Sequence, residues 1–257
     1  LEFRRVLFRS DRPRLWMLAV GVSRYARPEL AMTPDLAARD ARELAALLEK
    51  QKVLYREVST RVLVDADATR DRVLDGLEWL ARAATVRDVA VLQLAGHGVN
   101  DPETGQYYFL PHDADPEHLL RSAIADTTLQ SALGAIPGRV LLFLDTCHAG
   151  NAMNRGSGDF TRFVNDLSGA ERGVVVMVSA LGRQLAQEAP EWRHGAFTKA
   201  ILEALGGKAD FRSQKRVSLA ALDLYVSDRV RELTRGEQTP VLARPITVPD
   251  FPLVLLP

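Results

Sequence analysis

Short, almost uncharged apolar runs alternate along this chain with longer amphipathic stretches, and this alternation most constrains its fold. The runs have the length of strands buried on both faces, whereas the stretches between them repeat apolar residues at intervals of three or four, as helices do. The predicted strands are Leu15–Val22, Glu57–Val64, Val89–Gly96, Arg139–Thr146, Gly173–Ala180 and a short one near Pro240–Ala243. The predicted helices are Asp35–Lys50, one that follows Thr69, Ala196–Leu205 and Ser218–Leu233. The sequence therefore predicts an α/β fold, a mainly parallel six-stranded sheet with helices on both faces.

Composition excludes several classes of protein. Lys+Arg and Asp+Glu number 33 each, so the formal net charge is zero, which argues against nucleic acid as a partner. A single cysteine leaves no internal disulfide and no multi-cysteine zinc site. No apolar run approaches the ~20 residues of a membrane span. We therefore expect a cytoplasmic globular protein without a membrane partner.

The chain is predicted to form one domain. Its first ten residues, LEFRRVLFRS, lack the long apolar core and cleavage site of a signal peptide. Because their last four residues are what a common sequencing adapter would encode, we interpret this start as an assembly scar and expect residues 1–14 to be non-native or disordered. The domain is then expected to span residues 15–257. Residues 151–170 lack strong periodicity and are expected to form a functional or disordered loop.

A histidine and the only cysteine follow two of the predicted strands. The segment LAGHG places His97 just past the third strand, and LDTCHAG places Cys147 just past the fourth. If these strands are neighbours, about 5 Å apart, both side chains emerge at the same rim of the sheet, where they can form a nucleophile–base pair. Gly98 would let the backbone approach a substrate, and its N–H, with that of Cys147, could hold an oxyanion.

Other interpretations of these residues are open. A lone cysteine is more often a small buried apolar residue than a nucleophile, but the strand-end position and the partner His97 favour catalysis for Cys147. His148 is a rival base, although adjacent residues on an extended segment point in opposite directions. Three further histidines lie in polar loops and are expected to be solvated surface residues: His112, His118 and His194.

Several segments together carry a family pattern: AVGVSRY, LAARDARELAALL, the GHG of LAGHG, YYFLPHDAD, DTCHAG, VSALGRQLAQE, GAFTKAILEAL and QTP. This set, from about Leu15 to Pro240, resembles the caspase-like cysteine peptidases, and within them the metacaspase and bacterial orthocaspase branch. The 50 positions between His97 and Cys147 match the caspase spacing. The resemblance implies a caspase-like α/β/α sandwich and an endopeptidase that acts on protein or peptide substrates through a Cys-His dyad.

The residues before the cysteine separate this chain from true caspases. Where caspases carry Gln–Ala–Cys, this chain has Asp145–Thr146–Cys147. In the metacaspase branch that aspartate faces the S1 pocket, which holds the residue before the scissile bond (P1), and Asp40 matches a second pocket aspartate. The resemblance thus implies cleavage after Arg or Lys, since two carboxylates in a partly desolvated pocket select a cation and repel an acidic side chain. On position alone, Asp40 would be a solvated helix charge.

In this family a linker joins the large and small portions of the catalytic domain, and residues 151–172 match that linker. Arg155, Arg162 and Arg172 lie in or beside it and are candidate processing sites, the alternative being an ordinary disordered loop. Trp192 and Tyr25 are interpreted as packing residues rather than catalytic ones.

Other functions compete with the peptidase hypothesis. An inactive caspase-fold interaction or regulatory module would not need the intact Cys147, His97 and Asp145. A caspase-like protease with Asp specificity conflicts with Asp145, and legumain-like or gingipain-like enzymes match the other segments less well. No cofactor or metal is expected. Calcium activation occurs among metacaspases, but the sequence has no D-x-[DN]-x-[DN]-G loop. Bacterial relatives are often fused to other modules, so further modules of a longer chain are candidate partners.

Overall fold

The centre of the molecule is a mainly parallel β-sheet, seen here in a computed structural model. The structure describes residues 12–32, 35–101, 103–148, 161–169, 173–180 and 186–257, with the backbone alone at positions 147, 148, 161, 188 and 190. In chain order the strands are β1 (Arg14–Gly21), β2 (Glu57–Val64), β3 (Val89–Asn100), β4 (Tyr107–Phe109), β5 (Ile124–Ala125), β6 (Arg139–His148), β7 (Val174–Val178), β8 (Glu188–Ala189), β9 (His194–Gly195), β10 (Arg216–Ser218), β11 (Val241–Ala243) and β12 (Pro252–Leu255).

Six strands lie side by side in the order β11-β7-β6-β3-β1-β2. Each neighbouring pair among β7, β6, β3, β1 and β2 is parallel, and β11 is antiparallel at one edge. The short strands β4 and β5 extend the sheet from the end of β3. Two small antiparallel pairs, β8 with β9 and β10 with β12, lie outside it.

Helices cover both faces of the sheet. They are α1 (Ala37–Glu49), α2 (Arg70–Ala83), α3 (Leu119–Ser122), α4 (Asp126–Gly134), α5 (Thr161–Leu167), α6 (Ala196–Glu203), which continues into a π-helical turn at Ala204–Lys208, and α7 (Leu219–Leu233). Helices α2, α4 and α5 pack on one face, and α1, α6 and α7 on the other. Thr69 and Ser218 cap α2 and α7 at their N-termini, because each side chain accepts a hydrogen bond from a first-turn N–H.

Along the central strands, successive side chains pack alternately into two separate apolar cores, one on each face of the sheet. In β3, Leu92 and Leu94 belong to the core under α2, whereas Val89 and Val91 belong to the core under α1. A strand buried on both faces needs apolar residues at every position, which is why the sequence shows continuous apolar runs there. The predicted α/β fold with a mainly parallel sheet and helices on both faces is confirmed.

Two strands are longer than the sequence predicts. We expected β3 to end at Gly96 and β6 at Thr146, with the histidine and the cysteine just beyond them. Instead β3 continues to Asn100 and β6 to His148, because their parallel ladder runs on to the pair Gly98–His148 and β4 pairs with the end of β3. His97 and Cys147 therefore lie inside the paired ends of the strands.

Helices α3, α4 and α5 were not predicted. Helix α5 falls inside the segment expected to be a loop, so that expectation is wrong for Thr161–Leu167, where Phe163, Val164 and Leu167 are buried. A helix with only one or two apolar turns gives weak periodicity and depends on tertiary packing for its stability. None of the described helices is long and apolar enough to cross a membrane.

Candidate active site

The ladder between β3 and β6 brings the predicted nucleophile and base opposite each other. In its register, His97 pairs with Cys147 and Ala95 pairs with Asp145. Adjacent strands lie about 5 Å apart, so the backbones of the two residues are neighbours at the carboxyl end of the sheet. That end is where open α/β sheets bind their ligands.

Tyr25 and Leu30 contact His97 and help to hold it in place. Its backbone N–H donates to the Tyr25 hydroxyl at 2.8 Å, and the two rings stack with centroids 5.1 Å apart. Its Nε2 lies 2.9 Å from the Leu30 carbonyl oxygen. Because a carbonyl can only accept, Nε2 carries the proton and Nδ1 is the basic nitrogen of the neutral ring.

Glycines let aromatic rings come close to the ends of these strands. Gly96 has φ of 144°, and a Cβ there would lie 2.9 Å from the Tyr25 hydroxyl oxygen. A Cβ on Gly98 would lie 2.6 Å from the Tyr107 ring, whose hydroxyl donates to Thr146 Oγ1 at 3.2 Å. The close approach that Gly98 allows in this structure is therefore to Tyr107, and its part in an oxyanion hole stays a prediction.

Asp40 is buried in the first turn of α1, with 2% of its surface exposed. Its Oδ1 lies 2.5 Å from His194 Nδ1, and its Oδ2 accepts the backbone N–H of Gly195 at 3.1 Å. Burial raises the pKa of the Asp40 carboxyl, and the hydrogen bond from His194 opposes that rise. The alternative of a solvated helix charge is wrong, because α1 turns this residue toward the sheet.

Asp145 lies two residues before Cys147 on β6 and is 9% exposed. Its Oδ2 accepts a hydrogen bond from Thr198 Oγ1 of α6 at 3.0 Å, and the buried Ser179 hydroxyl also bonds to this carboxyl. Burial, followed by the charge of Asp40, raises the pKa of Asp145 to about 7.

Gly195 lies between the two carboxylates. Apart from atoms of its chain neighbours, the three atoms nearest to a Cβ on this glycine would all be oxygens: Asp145 Oδ2 at 3.3 Å, Asp40 Oδ2 at 3.5 Å and the Gln187 carbonyl at 3.9 Å. No Lys or Arg within the described ranges forms an ion pair with either carboxylate. We call this group of oxygens packed around Gly195 the Gly195 recess, and its charge suits a cationic group with several N–H donors.

His194 is the residue of this site that sequence reasoning missed. We expected a solvated surface histidine, but its side chain is 13% exposed and packs between Asp40 and Glu43 of α1. Asp40 and His194 are 154 positions apart, and no local pattern connects them. The contact between His97 and the Leu30 carbonyl has no sequence pattern either, since any residue type supplies a backbone carbonyl. For His118 the expectation is right, because its ring is exposed and bonds to Asp115 on the surface.

Two of the three candidate processing sites, Arg155 and Arg172, fall outside the described residues. Arg162 lies in the first turn of α5 with its side chain 89% exposed, 3.8 Å from Asp166. A peptide bond in a helix must unfold locally before a protease can bind it, so the helix disfavours cleavage at Arg162.

One group of possible metal ligands occurs among the described residues. Asp115, Glu117 and His118 bring ligand atoms within 4.8 Å of one another. However, Asp115 is already paired with Arg27 and hydrogen-bonded to His118, which leaves little negative charge for a cation. The group gives no support for a calcium site, and calcium dependence stays an open prediction.

Comparisons with known proteins address the fold and the family. A family model described as caspase domain, of peptidase family C14, matches residues 14–251. Protein GSU0716 of Geobacter sulfurreducens, known as a crystal structure, superposes with a TM-score of 0.64 at 19% identity, over 93% of this chain and 95% of that one. At that identity the likeness concerns the fold alone. A comparison with curated proteins finds no match.

Proposed function

The chain belongs to the caspase-domain family of cysteine peptidases, and we propose that it is an endopeptidase that hydrolyses peptide bonds after Arg or Lys. One observation carries the choice of P1 residue. The buried carboxylates of Asp40 and Asp145 face the same recess at Gly195, and Asp145 lies two residues before Cys147 on one strand. A site of this sign favours a guanidinium or ammonium group and repels an acidic side chain.

The proposed chemistry begins when His97 Nδ1 takes the thiol proton of Cys147, which leaves a thiolate and an imidazolium. The thiolate sulfur attacks the carbonyl carbon of the scissile bond, a C–S bond forms, and the carbonyl electrons move onto the oxygen. The backbone N–H groups of Gly98 and Cys147 stabilise that oxyanion. When the intermediate collapses, the C–N bond breaks and His97 gives its proton to the leaving amine. His97 then takes a proton from water as its oxygen attacks the thioester. The C–S bond breaks, the leaving sulfur recovers that proton from His97, and the new carboxylic acid loses its remaining proton to solvent.

The hydrogen bond to the Leu30 carbonyl selects which ring nitrogen of His97 exchanges protons in this scheme. With the Nε2 proton held by that carbonyl, Nδ1 is the nitrogen that exchanges protons with the sulfur, the amine and water. When His97 becomes an imidazolium, the Nε2–H bond to the carbonyl strengthens. We therefore propose a Cys-His dyad that a backbone group orients, with no third catalytic side chain.

The raised pKa of Asp145 is what we expect of a cation-binding pocket before the cation of the substrate has bound. Two carboxylates that share a buried site resist being ionised together, and here burial and Asp40 raise the pKa of Asp145 to about 7. A P1 cation favours the ionised form, so binding of an Arg substrate lowers that pKa. A P1 aspartate would bring a third carboxyl group into the same recess.

The test uses fluorogenic peptides that differ only at P1, with Arg, Lys or Asp. Wild type should cleave the Arg and Lys peptides only. Cys147→Ala and His97→Ala should abolish turnover, and Asp145→Asn should lower kcat/KM for the Arg peptide by roughly thirty-fold or more. Asp115→Asn, which changes a surface aspartate that also accepts hydrogen bonds, is the control and should act as wild type.

Two results would contradict this proposal. Preference for the Asp peptide would mean that the two carboxylates do not form the S1 pocket. Absence of turnover under reducing conditions, with and without calcium, would favour an inactive interaction module of the same fold.

A further inference from the structure

His194 presents both of its ring nitrogens to carboxylates. Nδ1 lies 2.5 Å from Asp40 Oδ1, and Nε2 lies 3.3 Å from Glu43 Oε2. The Nδ1 contact is a hydrogen bond and the Nε2 contact is an ion-pair distance, so a doubly protonated ring would have a carboxylate partner on each side. The side chain is largely buried, so a positive charge on this ring would lie inside the acidic site rather than in solvent.

The segment that delivers His194 is held by the same helix. Arg193 has φ of 61°, a left-handed conformation that is costly for a residue with a side chain. Arg39 of α1 donates from Nη1 to the Arg193 carbonyl at 3.2 Å and thereby supports this turn. Backbone strain of this kind is found where a chain must place a functional group.

The charges around the Gly195 recess do not balance with a substrate alone. Asp40 and Asp145 carry two potential negative charges, whereas a P1 side chain brings one positive charge. A buried charge without a partner is costly, and a carboxylate in that position takes up a proton instead. A second cation is needed if both carboxylates are to stay ionised around a bound Arg.

We propose that His194 is this second cation, a positioning residue that stays on Asp40 Oδ1 while the P1 cation binds in the recess at Asp40 Oδ2 and Asp145. The inference rests on the proposed preference for basic P1 residues. The two oxygens of Asp40 point to different partners, so the imidazolium and the substrate do not compete for one atom. The occupied pocket then holds two carboxylates and two cations, with Glu43 and Arg39 as the charged groups at its α1 side.

The experiment separates charge from structure at position 194. His194→Gln keeps a side-chain donor for Asp40 but removes the charge, whereas His194→Ala removes both. His118→Gln removes the imidazole from another His–Asp pair, at 3.0 Å on the surface, and is the matched control. With the P1 Arg peptide, both His194 variants should raise KM by about tenfold or more and leave kcat almost unchanged. If His194 had a purely structural role, the His194→Gln variant would keep the wild-type KM.

A binding measurement makes the test independent of turnover. In the full chain with Cys147→Ala, calorimetric titration with benzamidine reports on the cation site, and neutral benzamide is the isosteric control. Adding His194→Gln or His194→Ala should weaken benzamidine binding by about tenfold or more and leave benzamide binding unchanged. Adding His118→Gln should change neither.

The outcomes distinguish this inference from the proposed function. Wild-type KM and benzamidine affinity in His194→Gln would overturn the inference alone, as would tighter benzamidine binding in His194→Ala, which would show that His194 competes with the P1 cation. Benzamidine binding that depends on His194, in a protein that cleaves no Arg peptide, would overturn the proposed function alone.

Discussion

Asp145, which we propose faces the S1 pocket, illustrates how a buried carboxyl lowers stability. Its carboxyl is buried near the end of β6, beside the buried Asp40. The Thr198 and Ser179 hydroxyls donate to it, but these hydrogen bonds do not compensate for lost hydration and for repulsion by Asp40. Residues that hold charge ready for a ligand commonly destabilise the unliganded fold.

This balance gives a pH-dependent prediction for Asp145→Asn. The folded-state pKa is about 7, above the unfolded value of 3.8, so between these values the native state keeps a proton that the unfolded chain has lost. The free energy of unfolding therefore falls as pH rises from 4 to 7. Asn carries no proton to lose, so the Tm of Asp145→Asn should exceed that of wild type by a few degrees at pH 8 and by less at pH 4.

Thermal melts at both pH values check this prediction. Asp115→Asn is the control, because the pKa of this surface carboxyl is lowered, first of all by its hydrogen bond with His118, and the opposite trend is expected. A Tm advantage of Asp145→Asn that does not grow with pH would contradict the assigned pKa.

At the scale of elements, helix α6 links the site to the rest of the fold. It starts directly after Gly195 and carries Thr198, which donates to Asp145. At its other end, Glu203 binds Tyr225 and Arg229 of α7 and two lysines: Lys199 at 3.1 Å and Lys208 at 3.1 Å. These partners outweigh burial and lower the pKa of Glu203 to about 2.

Glu203→Gln should therefore destabilise the protein. It leaves three cations without their shared anion, and we expect a loss of about 3 kcal/mol, or a Tm lower by roughly 6 to 12 °C. The loss should be present above pH 4.5 and should shrink as pH falls toward 2, where about half of wild-type Glu203 is protonated. Glu78→Gln, which breaks an exposed pair with Arg82 on α2, should change the free energy of unfolding by less than about 0.5 kcal/mol.

The segment 151–172 carries a prediction about processing. If the enzyme cleaves after Arg, α5 should protect Arg162, so cleavage is expected at Arg155 or Arg172. Incubated wild type should then give a large fragment of about 17 to 19 kDa, by simple proportion of the 28.4 kDa chain. Cys147→Ala should stay whole.

Intact mass spectrometry of the products identifies the cleaved bond. Arg155→Ala combined with Arg172→Ala should stop processing, whereas Arg162→Ala should not. Full peptide activity in a chain that never processes would contradict the idea that this segment is an activation linker.

At the scale of the whole molecule, the sheet order assembles the site from distant parts of the chain. Strand β3 lies between β1 and β6, so the segment after β1 supplies Tyr25 and Leu30 to one side of His97, while β6 supplies Cys147 on the other. Helix α1 and the turn before α6 then bring Asp40 and His194 together on the α1 face.

The sequence by itself determined the strands of the main sheet, the helices α1, α2, α6 and α7, and the position of His97 and Cys147 near the carboxyl ends of two strands. Periodic burial and strand-end position are local properties, and a local pattern records them. Whether Asp40 is solvated or buried, which histidine pairs with it, and which nitrogen of His97 is basic were decided only by the tertiary structure. The physical reason is that hydration, charge pairing and hydrogen bonding to a distant carbonyl depend on neighbours brought together by folding, and residues 154 positions apart leave no shared pattern in the chain.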